Sequence, residues 1–371
     1  MIVTDSSGRP KIQVKIQTAT KQYETWLGSQ IPLVRADLVL KHTGMKRDEF
    51  SFLRATFYRW TQVWSQVCVD LGNAPLVLAV GDLHVENFGT WRDSEGRLIW
   101  GINDFDEAYH LPYTNDLVRL AVSAKFAINA KHLAIKANAA YDAILTGYTE
   151  GLQSGGRPFV LSEHHSWLRD IATSTLRDPA RFWRNMAALA LVKGAVPESV
   201  RAALDHLMPE PGLSYRLWRR ASGLGSLGRP RYVALTEWQG GKIAREGKAL
   251  VPSACVWARE GHGVSTVLYQ SVLDQAVRCR DPFVHVQGGW LVRRLAPYCS
   301  RIALSSLPKK RDEGRLLHAM GWETANVHLG SPKARNAVQR DVAKRKTNWL
   351  RVAAKAMTRA TISDWKDWVN R

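Results

Sequence analysis

GDLHVENFG (residues 81–89) and INDFDEA (102–108) decide how this sequence is read. APLVLAV (74–80) runs into the first motif and is a wholly apolar stretch of strand length, and RLIW (97–100) runs into the second in the same way. Asp93, Ser94, Glu95 and Gly96 supply turn chemistry between them. Two neighbouring strands therefore end in loops bearing oxygen ligands: Asp82 and Asn87, five positions apart, on the first, and Asp104, Asp106 and Glu107 on the second. A lone loop aspartate after a strand is usually a turn or a cap. Acidic and amide groups opening two adjacent loops are harder to assign to turns alone.

Working outward, residues 15–70 read as largely helical, with Phe52, Leu53, Phe57, Trp60, Val63, Trp64 and Val67 recurring at three- and four-residue steps as one buried face. After Pro112 helices follow to about residue 210, the first with Asn115 as its expected N-cap. From about 215 to 305 short alternating runs broken by Gly and Pro indicate a small antiparallel sheet. The remainder is helical, and residues 331–371 carry eleven Lys or Arg against three Asp.

With 371 residues, 45% hydrophobic and 23% charged, the chain has the constitution of a folded globular protein and excludes a disordered or fibrous one. No apolar run approaches the roughly 20 residues of a membrane helix. The N-terminus shows no apolar segment of secretory type, so the expected address is the cytoplasm. Cys68, Cys255, Cys279 and Cys299 are widely spread, which fits reduced, packed thiols better than a zinc ribbon or disulfide framework. The net charge of +19 invites anionic partners without choosing among them.

Phosphoryl transfer needs a carboxylate to orient the attacking hydroxyl and oxygen ligands to hold Mg²⁺ against a triphosphate. Asp82 suits the first task, and Asn87 and Asp104 the second, with Asp106 a further metal ligand or a loop-shaping residue alongside Glu107. In protein kinases the base and the metal-binding Asn stand at this same five-residue spacing, and the metal-binding Asp opens the next motif. GLGSLG (223–228) is a Gly-rich turn between expected strands, where Gly223, Gly225, Ser226 and Gly228 let backbone N–H groups approach phosphate oxygens. Lys248, on a following strand, can neutralise those phosphates. His84 reads as a structural loop histidine, His318, Asn326 and His328 as packing, and Arg293 and Arg294 as strand arginines that are salt-bridged or solvated before they are phosphate-facing.

The stretch from Gly81 to Ser123 closely resembles the bacterial family of unknown function DUF2252, and more distantly the HGD-x-x-x-x-N and I-D-F motifs of aminoglycoside and choline phosphotransferases. GLGSLGRPRYVAL resembles that family's second block and REGKALVPSA its lysine-bearing segment, which puts Lys248 ahead of Lys242 as the phosphate lysine. Asp116 and Arg119 resemble its D-L-x-R-L helix start, where Asp116 would anchor the catalytic loop. In ordinary kinases the Gly-rich loop and lysine come first, whereas here they follow the acidic loops by about 140 residues. The resemblance thus implies an α+β, two-lobed, protein-kinase-like fold that is circularly permuted. Residues 1–212 would form a helical catalytic lobe, 213–306 a small β-rich nucleotide-covering lobe, and 307–371 C-terminal helices packing on the helical lobe.

The function expected from this is an ATP- and Mg-dependent phosphotransferase acting on a hydroxyl of an unidentified small molecule or protein. The alternatives are a catalytically silent nucleotide- or nucleic-acid-binding module, or a nucleotidyl (AMP) transferase on the same fold. The basic tail, with Lys344, Arg345 and Lys346, reads as a solvated helical face before it reads as an arm for nucleic acid or an acidic partner. If both halves of the site act together, Asp104 and Lys248 face one cleft within a triphosphate's width, and Asp82 opens into it.

Overall fold

In the computed structural model the described residues are 14–161, 165–172, 178–259, 266–297, 299 and 312–370. They form a mixed α/β molecule with antiparallel sheets. The N-terminal third is helical: Ile16–Gln30, Arg35–Arg47, Glu49–Ala55, Phe57–Val67 and Val69–Gly72. The apolar stripe expected along one helix is divided between two, because Asp48 caps a new start by accepting the Ser51 N–H (2.6 Å) and the chain turns again at Thr56.

Strands β1 (Leu76–Ala79), β2 (Phe88–Arg92), β3 (Leu98–Ile102) and β4 (Tyr109–Pro112) follow. β2, a strand the sequence pattern did not mark, pairs with β3 across the Asp93–Gly96 turn, where the Asp93 carboxylate accepts the N–H groups of Glu95 and Arg97. β1 pairs with β4 instead of β3, so the two acidic loops leave different sheets and meet beyond their ends. The helix after β4 starts at Tyr113 and gains no side-chain cap; Asn115 instead accepts the buried indole N–H of Trp60 at 3.1 Å.

Helix Ala137–Ser154 lies against Glu313–His328, and their approach is close enough that a Cβ at Gly321 would stand 2.0 Å from the Ile144 carbonyl oxygen. The last helix, Trp349–Val369, packs on Tyr113–Asn129 and Phe57–Val67, where Arg59 holds Asp364 through two bonds of 2.8 and 2.9 Å. This C-terminal segment therefore belongs to the same core as the N-terminal helices. No helix among the described residues is long and apolar enough to cross a membrane.

β5 (Phe159–Val160) extends the β2–β3 sheet. A third sheet contains β6 (Ala190–Leu191), β7 (Arg216–Arg219), β8 (Arg231–Trp238), β9 (Gly241–Ala249), β10 (Val284–Gln287) and β11 (Trp290–Leu295) in the order β10-β11-β9-β8-β7-β6, all antiparallel. It begins at Ala190, earlier than the chain pattern suggested, because β6 is a two-residue strand with no periodicity to read. Alternation divides its central strands: Ala234 and Val292 pack with helix Glu198–Asp205 on one face, while Val233, Ala244 and Leu295 pack with Met186 on the other. That second face continues along β9 into Glu246 and Lys248.

Candidate active site

The loop after β1 is set by Asp116, whose carboxylate accepts the N–H groups of Val80 (2.7 Å) and Gly81 (3.0 Å). Asp116 is itself fixed by His328 Nε2 at 3.0 Å, and His328 Nδ1 lies 2.9 Å from the Tyr148 hydroxyl. Gly81 has φ +82°, and a Cβ there would strike the Glu107 carbonyl oxygen, so only glycine lets the two acidic loops touch. Asn87 closes the loop by donating to the Asp82 carbonyl (3.1 Å). His84 is buried and its Nδ1 accepts the Glu86 N–H, the structural arrangement expected for it.

Asp82 lies beside the fully buried Arg119, which contacts its Oδ1 through Nε (2.9 Å) and Nη2. The Arg119 guanidinium stacks over the Phe57 and Trp60 rings, and its position is therefore set by the helical core. Burial pushes the Asp82 carboxyl up to about 7 against the pull of Arg119, helped by the nearby Glu107 and Asp104 charges. Both arginine contacts fall on Oδ1, and Oδ2 is left toward Gly225, where a Cβ would approach it to 3.4 Å.

From the other side of the chain, 144 residues later, Lys248 reaches Asp104 Oδ1 at 3.3 Å and also bonds Asp106. Burial opposes ionisation of Asp104, but Lys248, Arg293 and Arg231 outweigh it and hold the carboxyl below its ordinary range. Asp106 goes the opposite way: burial and the Asp104 charge raise it, despite Lys248 and Arg229. Arg229 spans Asp106 and Glu107, the latter at 2.8 Å, and Glu107 also accepts the Ala254 N–H.

GLGSLG lies between β7 and β8, as expected, with a single 3₁₀ turn at Leu224–Ser226. It rests on the helical segment: Lys41 donates to the Gly225 carbonyl at 3.3 Å, and Leu224 packs into the notch at Gly44. Lys41 is itself buried beside the Tyr23 and Tyr58 rings, and burial brings its ammonium down to about 8. Ser226 accepts from Arg231 at 2.7 Å, which links the segment to the sheet.

These groups share one cleft of about 550 Å³. Asp82, Asn87, Asp104, Asp106, Gly223, Gly225 and Ser226 all line it. Gly228 and Lys248 do not: Gly228 packs on Leu38, and the Lys248 side chain, 1% exposed, stands behind Asp104 and Asp106. Lys248 and Asp104 are thus in direct contact and no space for a phosphate chain separates them. Lys242 is at the exposed hairpin end of β9, opposite Glu237.

The sequence reading missed Lys41, Arg220, Arg229, Arg231 and Glu246. The alternation of Glu246 and Lys248 on one strand was a legible signal that they share a face. The arginines meeting Glu246 depend on strand register and loop closure, which local pattern does not carry.

The fold and the cleft define a mixed α/β protein in which acidic loops after β1 and β3 meet a cationic face of a later antiparallel sheet. Residues 33–163, which carry both acidic loops, match the model of the family described as "Uncharacterized protein conserved in bacteria (DUF2252)". No curated protein and no solved structure matches the chain.

Proposed function

We propose that this protein is a Mg-ATP-dependent phosphotransferase that moves the γ-phosphoryl group to a hydroxyl, on a circularly permuted kinase-like arrangement. The observation that carries the reading is convergence: Asp82, Asn87 and Asp104 from one segment and the Gly223–Ser226 turn from another line a single cleft. Asp82 serves as the base, with Oδ1 held by Arg119 and Oδ2 free to take the proton of the attacking hydroxyl. A carboxyl whose ionisation is raised to about 7 is matched to that task near neutral pH.

A magnesium ion suits the residues present. Asn87 Oδ1 is buried without a hydrogen-bond partner, and it lines the same cleft as the ionised Asp104. Mg²⁺ in phosphoryl-transfer sites is commonly held by one or two side chains together with the substrate's phosphates, so a small donor set suffices. Asn87 and Asp104 would hold the ion, since Asp104 has one longer contact to Lys248 and an open side chain, whereas Asp106 is more deeply set and held by both Lys248 and Arg229. When bound, the ion would neutralise charge on the phosphates. Asp104 stays ionised because Lys248 and the neighbouring arginines keep it so, and the Ser226 turn, held by Lys41 and Arg231, bounds the cleft over Asp82.

The test follows both phosphates. The protein is incubated with ATP labelled on the γ or the α position, with and without Mg²⁺, against a panel of hydroxyl acceptors and itself. Mg-dependent transfer of γ label is expected. Transfer of α label instead would move the reading to nucleotidyl transfer, and saturable ATP binding with neither label moving across the panel would favour a silent nucleotide-binding module.

A further inference from the structure

The cleft wall facing the acidic loops carries a cationic array that is hydrogen-bonded to neither the base nor the metal ligands, although Arg231 and Arg293 act on the Asp104 charge across the cleft. Glu246 is fully buried in the middle of β9. Arg293 stands directly opposite it on β11 and bonds it at 2.8 and 2.9 Å, while Arg231, opposite Lys248 on β8, bonds it at 3.1 Å. Arg220, just after β7, bonds its other oxygen at 2.5 Å. These guanidinium groups outweigh burial and hold Glu246 well below the ordinary carboxylate range.

One carboxylate offers about four acceptor positions and three guanidinium groups offer about fifteen N–H donors. Most of those donors are therefore left over, and the single Glu246 carboxylate is in contact with three guanidinium groups. Arg220 and Arg293 are each 24% exposed at the side chain and, with Arg231, line the cleft beside Asp104. A rigid fork of donors fixed by a buried partner is suited to planar, multidentate recognition of phosphate oxygens. Lys248 is poorly placed for that work, since Asp104 and Asp106 already occupy its ammonium.

We propose that Arg220, Arg231 and Arg293, clamped on Glu246, form the polyphosphate-binding site of this cleft, and that Lys248 positions Asp104 and does not itself hold phosphate. The assignment deepens the phosphotransferase reading by replacing its expected lysine with an arginine cluster. The recognised chemistry is a chain of phosphates, as offered by a nucleoside triphosphate or by inorganic tripolyphosphate.

Calorimetric titration of the full chain with ATP, inorganic tripolyphosphate and adenosine tests this, using Arg220→Gln, Arg293→Gln, Arg293→Lys and wild type. Each single change leaves Glu246 at least two guanidinium partners, so a thermal melt should report a folded protein. Wild type should bind both phosphate compounds and hardly bind adenosine. Each Gln variant should weaken tripolyphosphate about tenfold or more, as expected for loss of a charge-assisted contact, and Arg293→Lys should recover part of it. Unchanged tripolyphosphate affinity in both folded Gln variants, or wild-type binding of ATP without tripolyphosphate, overturns the assignment. Arginine-dependent binding with no transfer of either ATP label would leave the site standing and remove the phosphotransferase reading, while failure of wild type to bind either phosphate compound removes both.

Discussion

Asp82 combines two demands: Arg119 must be near enough to orient it, yet burial must keep its proton affinity close to neutrality. Asp82 is raised from 3.8 to about 7, so the native chain retains a proton that the unfolded chain releases from about pH 4 upward. The stability from this group is complete below about pH 4 and is lost as pH rises through about 7. Thermal midpoints measured between pH 5 and 8 should therefore fall more steeply for wild type than for Asp82→Asn; equal slopes would place the carboxyl in its ordinary range. Turnover should rise through the same pH interval, because only the ionised form accepts a proton. Asp104 is different, being held ionised by Lys248, Arg293 and Arg231. Asp104→Asn should weaken Mg-dependent ATP binding as well as turnover, while Asp82→Asn should mainly lower turnover by a factor of about 10² or more. Full activity in both variants would remove the site assignment. These two residues and Asn87 were legible in the sequence because strand-to-loop transitions and a five-residue spacing are local features. Arg119 was legible only as part of a helix-start resemblance, since its distance from Asp82 is created by packing of the Phe57 and Trp60 helix.

At the scale of elements, β9 explains why the sheet was easier to read than its chemistry. Its short alternating pattern identified a strand, and alternation put Glu246 and Lys248 on one face. The partners of those residues come from β8, β11, the end of β7 and the second acidic loop, and their arrival depends on register. Lys248 is the strut between sheet and loop. Lys248→Met removes one of the two cationic partners of Asp106, and loss of a charge-assisted contact of that kind costs about 1.5 to 3 kcal/mol. Lys242→Met, at the exposed hairpin end, should change stability by less than about 0.5 kcal/mol. Denaturant titration of the two variants checks the ranking, and equal stabilities would show that the Lys248 contacts carry no weight. A similar comparison applies where helices Ala137–Ser154 and Glu313–His328 cross. Gly321→Ala forces a methyl to within 2.0 Å of the Ile144 carbonyl unless the pair separates, and overpacking of that kind costs about 1 to 3 kcal/mol. A thermal midpoint unchanged from wild type would mean the crossing is looser than it stands here.

For the whole molecule, chain order and spatial order diverge. The acidic loops come first, the sheet that meets them comes later, and the C-terminal helices return to pack with the N-terminal ones. Sequence pattern conveyed the succession of helical, strand-rich and helical regions, but the return of the last helix to the first core rests on long-range contacts such as Arg59 with Asp364, 305 residues apart. That return also bears on the +19 charge. In the basic tail, Arg345 is paired with Asp341 and donates to the Tyr113 hydroxyl, and Arg351 is paired with Asp142 across the helix interface. Cations committed to packing in this way are not aligned along a groove that could follow a nucleic-acid backbone, and exposed ones such as Lys344 and Lys346 add only a screened, diffuse attraction. Binding of labelled RNA or duplex DNA, followed by fluorescence anisotropy, should therefore be negligible at physiological salt and weak at low salt. Neutralising Lys344 and Lys346 should leave the salt dependence unchanged. Tight binding whose salt slope flattens in that double variant would instead make the tail a phosphate-tracking surface, and the positive charge would then serve a macromolecular partner in addition to the cleft.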